Sequence, residues 1–227
     1  MPTINHILIS GFRQKSEEIN GVTLLKQKLV DNCHYCNGHS RVDLYPWNVG
    51  WRHVAESLLD LARMKGGDLT ICVSAFSWGA GWGAMQLARE LDRLGLRIRV
   101  MILSDPVYRH PSIFMRWLTL AKRGGFRFIK YLDVFGVLPP GMVIRVPPNV
   151  DEVHTLYQTI NWPQGSILAY EGDDTIPHPP IRLRVPHERM DDAPEFHDLV
   201  LSIAERVRED AGLGVCPGIL NSPRRRC

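Results

Sequence analysis

The chain has 227 residues, of which 44% are apolar and 22% charged, and its formal net charge is +3. That length fits one large domain or two small ones, the composition suits a chain that buries a substantial core, and so mild a charge gives no case for a nucleic-acid partner. Five cysteines exclude a complete set of intramolecular disulfides and point to a reducing, cytoplasmic setting.

In chain order, "HILIS" (6–10) is a short apolar strand closed by Gly11, and "GVTLLKQKLV" (21–30) spaces Val22, Leu25 and Leu29 as a helix does. "RVDLYPW" (41–47) reads as a strand ending at Pro46, and "WRHVAESLLDLARMK" (51–65) as a helix stopped by Gly66 and Gly67. "LTICVSAF" (69–76) is a buried strand, "GAMQLARELDRLG" (83–95) a helix and "RIRVMILS" (97–104) the next strand. Such alternation, with continuous apolar strands, predicts an α/β fold: a mostly parallel sheet with helices on both faces. Residues 107–140 break the pattern with a run of aromatic and basic side chains and read as a helical cap inserted over the sheet edge. "MVIRVP" (142–147), "GSILAYEG" (165–172) and "IRLRVP" (181–186) are further extended runs, between which "VHTLYQTI" (153–160) reads as a helix that Asp151 could cap. "APEFHDLVLSIAERVRED" (193–210) closes the fold as an amphipathic helix. One domain over 1–212 is expected, with 213–227 a frayed tail. No run approaches the ~20 apolar residues of a membrane span, and "MPTINHILISG" lacks the basic start of a signal peptide, so neither stable membrane insertion nor export is expected.

The stretch "ICVSAFSWGAGWGA" (71–84) supports two chemistries. Gly79, Gly81 and Ala84 fit a relaxed G-x-G-x-x-A after a strand, the turn on which a dinucleotide-binding oxidoreductase seats a pyrophosphate, with Asp105 placed for a ribose. The same residues contain "AFSWG" (75–79), close to the elbow G-x-S-x-G that carries a nucleophilic serine, with Ala75 in place of the first glycine. A serine that attacks carbonyl carbon needs a histidine base and a carboxylate to orient it, in the chain order Ser, acid, His for this kind of sheet. Ser77, Asp105 after "RVMILS" and His187 after "IRLRVP" satisfy that order at one sheet edge. Asp151 and Glu152 are the rival acids. Among rival bases, His197 reads as a helix-surface residue, His178 lies at the wrong end of its strand, His110 could line the site, and His6 and His53 look structural. Asp191 and Asp192 are expected to begin the closing helix. Cys33 and Cys36 in "CHYCNGH" (33–39) lack the second ligand pair that a structural zinc site needs, so no metal is expected.

Elbow, acid after the next strand, and histidine before the last helix together resemble the α/β-hydrolase superfamily, and "SDPV" (104–107) resembles the acid-bearing segment of its lipases. The resemblance implies a serine hydrolase cleaving a small-molecule carboxylic ester or thioester through an acyl-enzyme, with Ser77 as nucleophile, His187 as base and Asp105 as acid, and with no cofactor. It further implies an oxyanion hole from the backbone N–H of Trp78 and of Phe12 or Arg13, although the superfamily's His-Gly dipeptide is replaced by "SGFRQKS" (10–16). The alternatives are a non-catalytic binding or scaffold protein on the same fold and, behind it, the dinucleotide-binding oxidoreductase.

Overall fold

The computed structural model describes residues 2–12, 14, 19–34, 39–107, 143–161, 163 and 165–213. Its elements are β1 (Thr3–Ile9), α1 (Gly21–His34), β2 (Ser40–Tyr45), α2 (Trp51–Met64), β3 (Leu69–Phe76), a π-helical turn (Gly79–Gly83), α3 (Ala84–Arg93) and β4 (Ile98–Ser104), followed by β5 (Val143–Val146), β6 (Val150–Tyr157), β7 (Ile167–Tyr170), β8 (Ile176–Pro177), β9 (Ile181–Arg182) and α4 (Pro194–Asp210). Seven strands form one sheet in the order β2-β1-β3-β4-β6-β8, with β9 also paired to β6. Every pairing in it is parallel.

The strands alternate between two cores. Ile7 and Ile9 of β1, Val73 and Ala75 of β3, and Met101 and Leu103 of β4 pack against α2 and α3. Ile4, Leu8, Cys72, Val100 and Ile102 point the other way, onto α1 and α4. Side chains on a strand alternate in direction, so a strand buried on both faces must be apolar throughout. That is why "LTICVSAF" and "RIRVMILS" are legible as central strands.

From β1 the chain crosses to β2 on one side, then to β3 on the other. The connections after β1 and β3 therefore diverge to opposite faces and leave a crevice at the carboxyl ends of these two strands.

Two expectations need correction. Residues 150–157 form the strand β6, not the start of a helix; Val150, Val153 and Tyr157 lie near helical spacing, but the segment is held between β4 and the β8/β9 pair. The runs near 142–147 and 165–172 are extended as expected, forming β5 and β7, which pair with each other in a separate two-stranded sheet. Of 181–186, only Ile181–Arg182 is a strand. The cap expected over 107–140 lies, apart from Val107, outside the described residues, as do Arg13, Cys36 and the tail beyond Leu213.

Candidate active site

β3 ends at Phe76, and Ser77 turns the chain with φ +54° into the π-helical turn that leads to α3. A non-glycine residue at positive φ is strained, and the surrounding packing must hold it there. Three features supply that packing. The backbone oxygen of Ser77 accepts a hydrogen bond from the Val107 N–H at 3.0 Å. At Gly11 an added Cβ would stand 3.1 Å from the Ser77 Cβ, so the segment after β1 runs directly against the elbow. At Gly79 and Gly81 an added Cβ would collide with the backbones of Ile9 and Ser10 and of Val107. These glycines are consumed by close approach of the chain to itself, and the space a pyrophosphate would need on the dinucleotide reading is filled by backbone.

The three residues singled out from the sequence meet at the crevice. Ser77 Oγ lies 2.9 Å from His187 Nε2, and His187 Nδ1 lies 2.6 Å from Asp105 Oδ2. A carboxylate only accepts, so the neutral imidazole carries its proton on Nδ1 and offers Nε2 to the Ser77 hydroxyl. Asp105 is fully buried and, like Ser77, has positive φ (+43°). Its Oδ1 accepts from the Gly165 N–H (2.8 Å) and the Gln158 N–H (3.4 Å), and its Oδ2 accepts from Gln158 Nε2 (3.1 Å). His187 opens a short 3₁₀ turn (His187–Arg189). Its N–H donates to Asn161 Oδ1 (2.7 Å), and its ring stacks on Phe76 with centroids 5.1 Å apart.

Phe12 follows Gly11 beside the elbow, its ring 4.3 Å from that of Trp78, and Trp47 completes an aromatic trio over the crevice. The segment is tied down by Gln14, whose Oε1 accepts from the Gly11 N–H at 2.8 Å and whose Nε2 donates to Asp191 at 2.5 Å.

The rival groups fall elsewhere. Asp151 stands at the opposite end of the sheet, where both Nε and Nη2 of Arg97 bond its Oδ1. His197 is buried rather than on the surface, with Nε2 donating to the Asp191 carbonyl (2.7 Å) and Nδ1 2.9 Å from Lys28 Nζ. Burial, reinforced by Lys28, lowers its pKa. Asp191 does not begin α4, whose first turn has no side-chain cap; its Oδ2 accepts the Gly21 N–H at the start of α1 instead. Burial raises the Asp191 pKa despite those bonds. His6 is buried in β1, and burial together with Arg208 lowers its pKa to about 4. His53 is exposed, 3.4 Å from Glu56. His110 lies outside the described residues.

Glu152, His154 and His178 bring three potential ligand atoms within 4.8 Å of one another. The set does not fit a metal ion well. Glu152 Oε2 already accepts from Arg206 Nη2 (2.7 Å), with Arg99 3.3 Å from its Oε1. The two imidazole planes lie nearly parallel (10°) with centroids 3.9 Å apart, so an ion held in the plane of one ring would lie out of the plane of the other. A cavity of about 350 Å³ beside Gly165, between Tyr157 and Ile167, has neither Ser77 nor His187 in its lining.

The site also uses residues that the sequence reading passed over, namely Gln14, Gln158 and Asn161. Gln158 was within reach. Had 150–157 been read as a strand beside β4, its carboxyl end would have placed Gln158 next to Asp105.

A parallel sheet with a strained serine at a strand-to-helix turn, an acid after the next strand and a histidine before the last helix makes the fold α/β-hydrolase-like. No protein-family model matches the sequence, and no curated protein matches it. Solved structures similar to the chain include the RedJ thioesterase from the prodiginine biosynthetic pathway in Streptomyces coelicolor, at 12% identity over 89% of this chain and 85% of that one, with a TM-score of 0.40. ClbQ from the colibactin NRPS/PKS pathway is similar at 9% identity, 93% and 100% coverage and a TM-score of 0.45. An α/β-hydrolase superfamily protein from Enterococcus faecalis is similar at 10% identity, 92% and 91% coverage and a TM-score of 0.40.

Proposed function

We propose that the chain is a serine hydrolase that cleaves a carboxylic ester or thioester through an acyl-enzyme. The observation that carries this reading is the unbroken relay from Ser77 Oγ through the His187 ring to Asp105, at 2.9 and 2.6 Å. In the first half-reaction the Ser77 Oγ–H proton passes to His187 Nε2 as Oγ bonds the acyl carbon, and the carbonyl oxygen takes the negative charge. The backbone N–H groups of Trp78 and Phe12 are assigned to that oxyanion, a contribution worth ~10²–10³ in rate per donor. Collapse breaks the bond to the alcohol or thiol, which leaves with the proton from Nε2. In the second half a water gives a proton to Nε2 and its oxygen to the acyl carbon, Oγ regains its proton, and the carboxylic acid departs. Asp105 stabilises the imidazolium in both halves without taking the proton itself.

Turnover of p-nitrophenyl acyl esters and of S-acyl N-acetylcysteamine thioesters tests the reading. The expected result is hydrolysis by the native chain that Ser77→Ala abolishes. Equal rates from the two proteins would leave the non-catalytic binding alternative.

A further inference from the structure

We propose that Gln158 is a positioning residue that aims the Asp105 carboxylate at His187, and that Asn161 ties the base to the same segment. The inference rests on the serine-hydrolase reading and extends it to two residues outside the relay.

Gln158 is buried at the first position after β6. β6 pairs with β4 along its length, and the Asp105 N–H donates to the Leu156 carbonyl at 2.7 Å, so Gln158 and Asp105 leave the sheet side by side. Every polar atom of the Gln158 side chain has a partner of one kind. Among the described residues, its Oε1 faces only donors, the N–H groups of Ile160 (2.7 Å) and Asn161 (3.1 Å). Its Nε2 faces only acceptors among them, Asp105 Oδ2 (3.1 Å) and the carbonyls of Asn161 (3.0 Å) and Pro163 (2.8 Å). The amide therefore has one orientation, and no other side chain of this length offers two protons on one end and an acceptor on the other.

The consequence for Asp105 is geometric. The terminal torsion of an aspartate is broad, so the backbone alone does not fix the plane of the carboxylate. Here Oδ1 is held by two backbone N–H groups and Oδ2 by the Gln158 amide, which leaves the remaining lone pair of Oδ2 directed at His187 Nδ1. Three residues on, Asn161 Oδ1 accepts the His187 N–H (2.7 Å) while its Nδ2 donates to Glu188 (2.8 Å). One short stretch thus holds acid and base in register.

The test is the pH profile of Ser77 labelling by a fluorophosphonate, in the full chain and in three variants. Gln158→Glu keeps the shape but needs a proton to donate to Asp105. Its labelling should match the native rate most closely at acid pH and fall ~10-fold or more below it as the new carboxyl ionises against Asp105. Gln158→Met should lower the rate ~10–100-fold at every pH, the cost of a loosened relay. Asn161→Ala, on the half-exposed part of the segment, should slow labelling without changing the profile, and it serves if the buried variants do not fold. A purely structural role for Gln158 predicts thermal destabilisation in both Gln158 variants with no new alkaline limb. An alkaline limb in Gln158→Glu supports the proposal. A native-shaped profile in Gln158→Glu, or native rates in Gln158→Met and Asn161→Ala, overturns it alone. A native chain that does not label overturns it together with the hydrolase reading.

Discussion

Two groups of histidine and carboxylate occupy the same sheet and differ in almost every other respect. Asp105, His187 and Ser77 lie beyond the carboxyl ends of their strands, two of them on strained backbone, and each link of the relay is a single directed contact. Glu152, His154 and His178 lie along β6 and just after β8, where the carboxylate is shared between two arginines. The Nε2 atoms of the stacked His154 and His178 face Glu152 Oε2 at 3.8 and 3.4 Å, farther than any link of the relay. The pairing of residue types is therefore a poor guide to chemistry. Direction and position are better ones: the first group ends on a hydroxyl at the crevice, and the second ends on guanidinium groups that neutralise a charge buried within the sheet.

Substitutions in the two groups should separate them. Ser77→Ala and His187→Ala should lower ester turnover by ~10³-fold or more. Asp105→Asn should come close to that, because an amide in its place favours the wrong imidazole tautomer. His154→Gln and His178→Gln should leave turnover within about twofold, and comparable losses from both groups would erase the distinction.

The second group should show its role in stability. Burial disfavours the charge on Glu152, and Arg206 and Arg99 more than offset this, holding its pKa below the ordinary value. Glu152→Gln takes away the carboxylate that Arg206 and Arg99 share and should cost about 1–3 kcal/mol, between the values for exposed and fully buried pairs, as read from urea unfolding.

An effect of similar size should appear with pH. Burial and Arg208 depress the His6 pKa to about 4, and burial and His178 do the same for His154. Between pH 6.5 and 4 the unfolded chain binds protons that the folded chain does not, so stability falls as pH falls through that window. His6 alone accounts for up to about 3 kcal/mol, and denaturation midpoints at pH 7 and 4.5 measure the difference. Smallest of all is the expectation at Cys72. Burial raises its thiol pKa to about 12, so thiol reagents should not modify it until the chain unfolds.

How much of this was legible in the sequence follows from the same contrast. The central strands β1, β3 and β4 were readable because burial on both faces demands continuous apolar residues. The relay was readable because its members sit at the ends of such strands in a fixed order. β6 was not, since Asp151, Glu152 and His154 break the apolar run, and only the tertiary partners Arg206 and Arg99 make Glu152 tolerable in the sheet. Without β6, nothing in the sequence sets Gln158 beside Asp105. A helix over 153–160 also leaves Asp151 a rival acid, when it lies at the far end of the sheet. His197 was misplaced for a similar reason: a histidine one step off an apolar stripe looks exposed until Lys28 and the Asp191 carbonyl are brought to it by folding.

The most direct test of the account is the mass and location of the adduct formed with a fluorophosphonate near neutral pH. The relay predicts one phosphonyl group per chain, mapped to the peptide that contains Ser77 and absent from both Ser77→Ala and His187→Ala. Labelling that persists in Ser77→Ala, or a folded native chain that takes up no phosphonyl group, would contradict it.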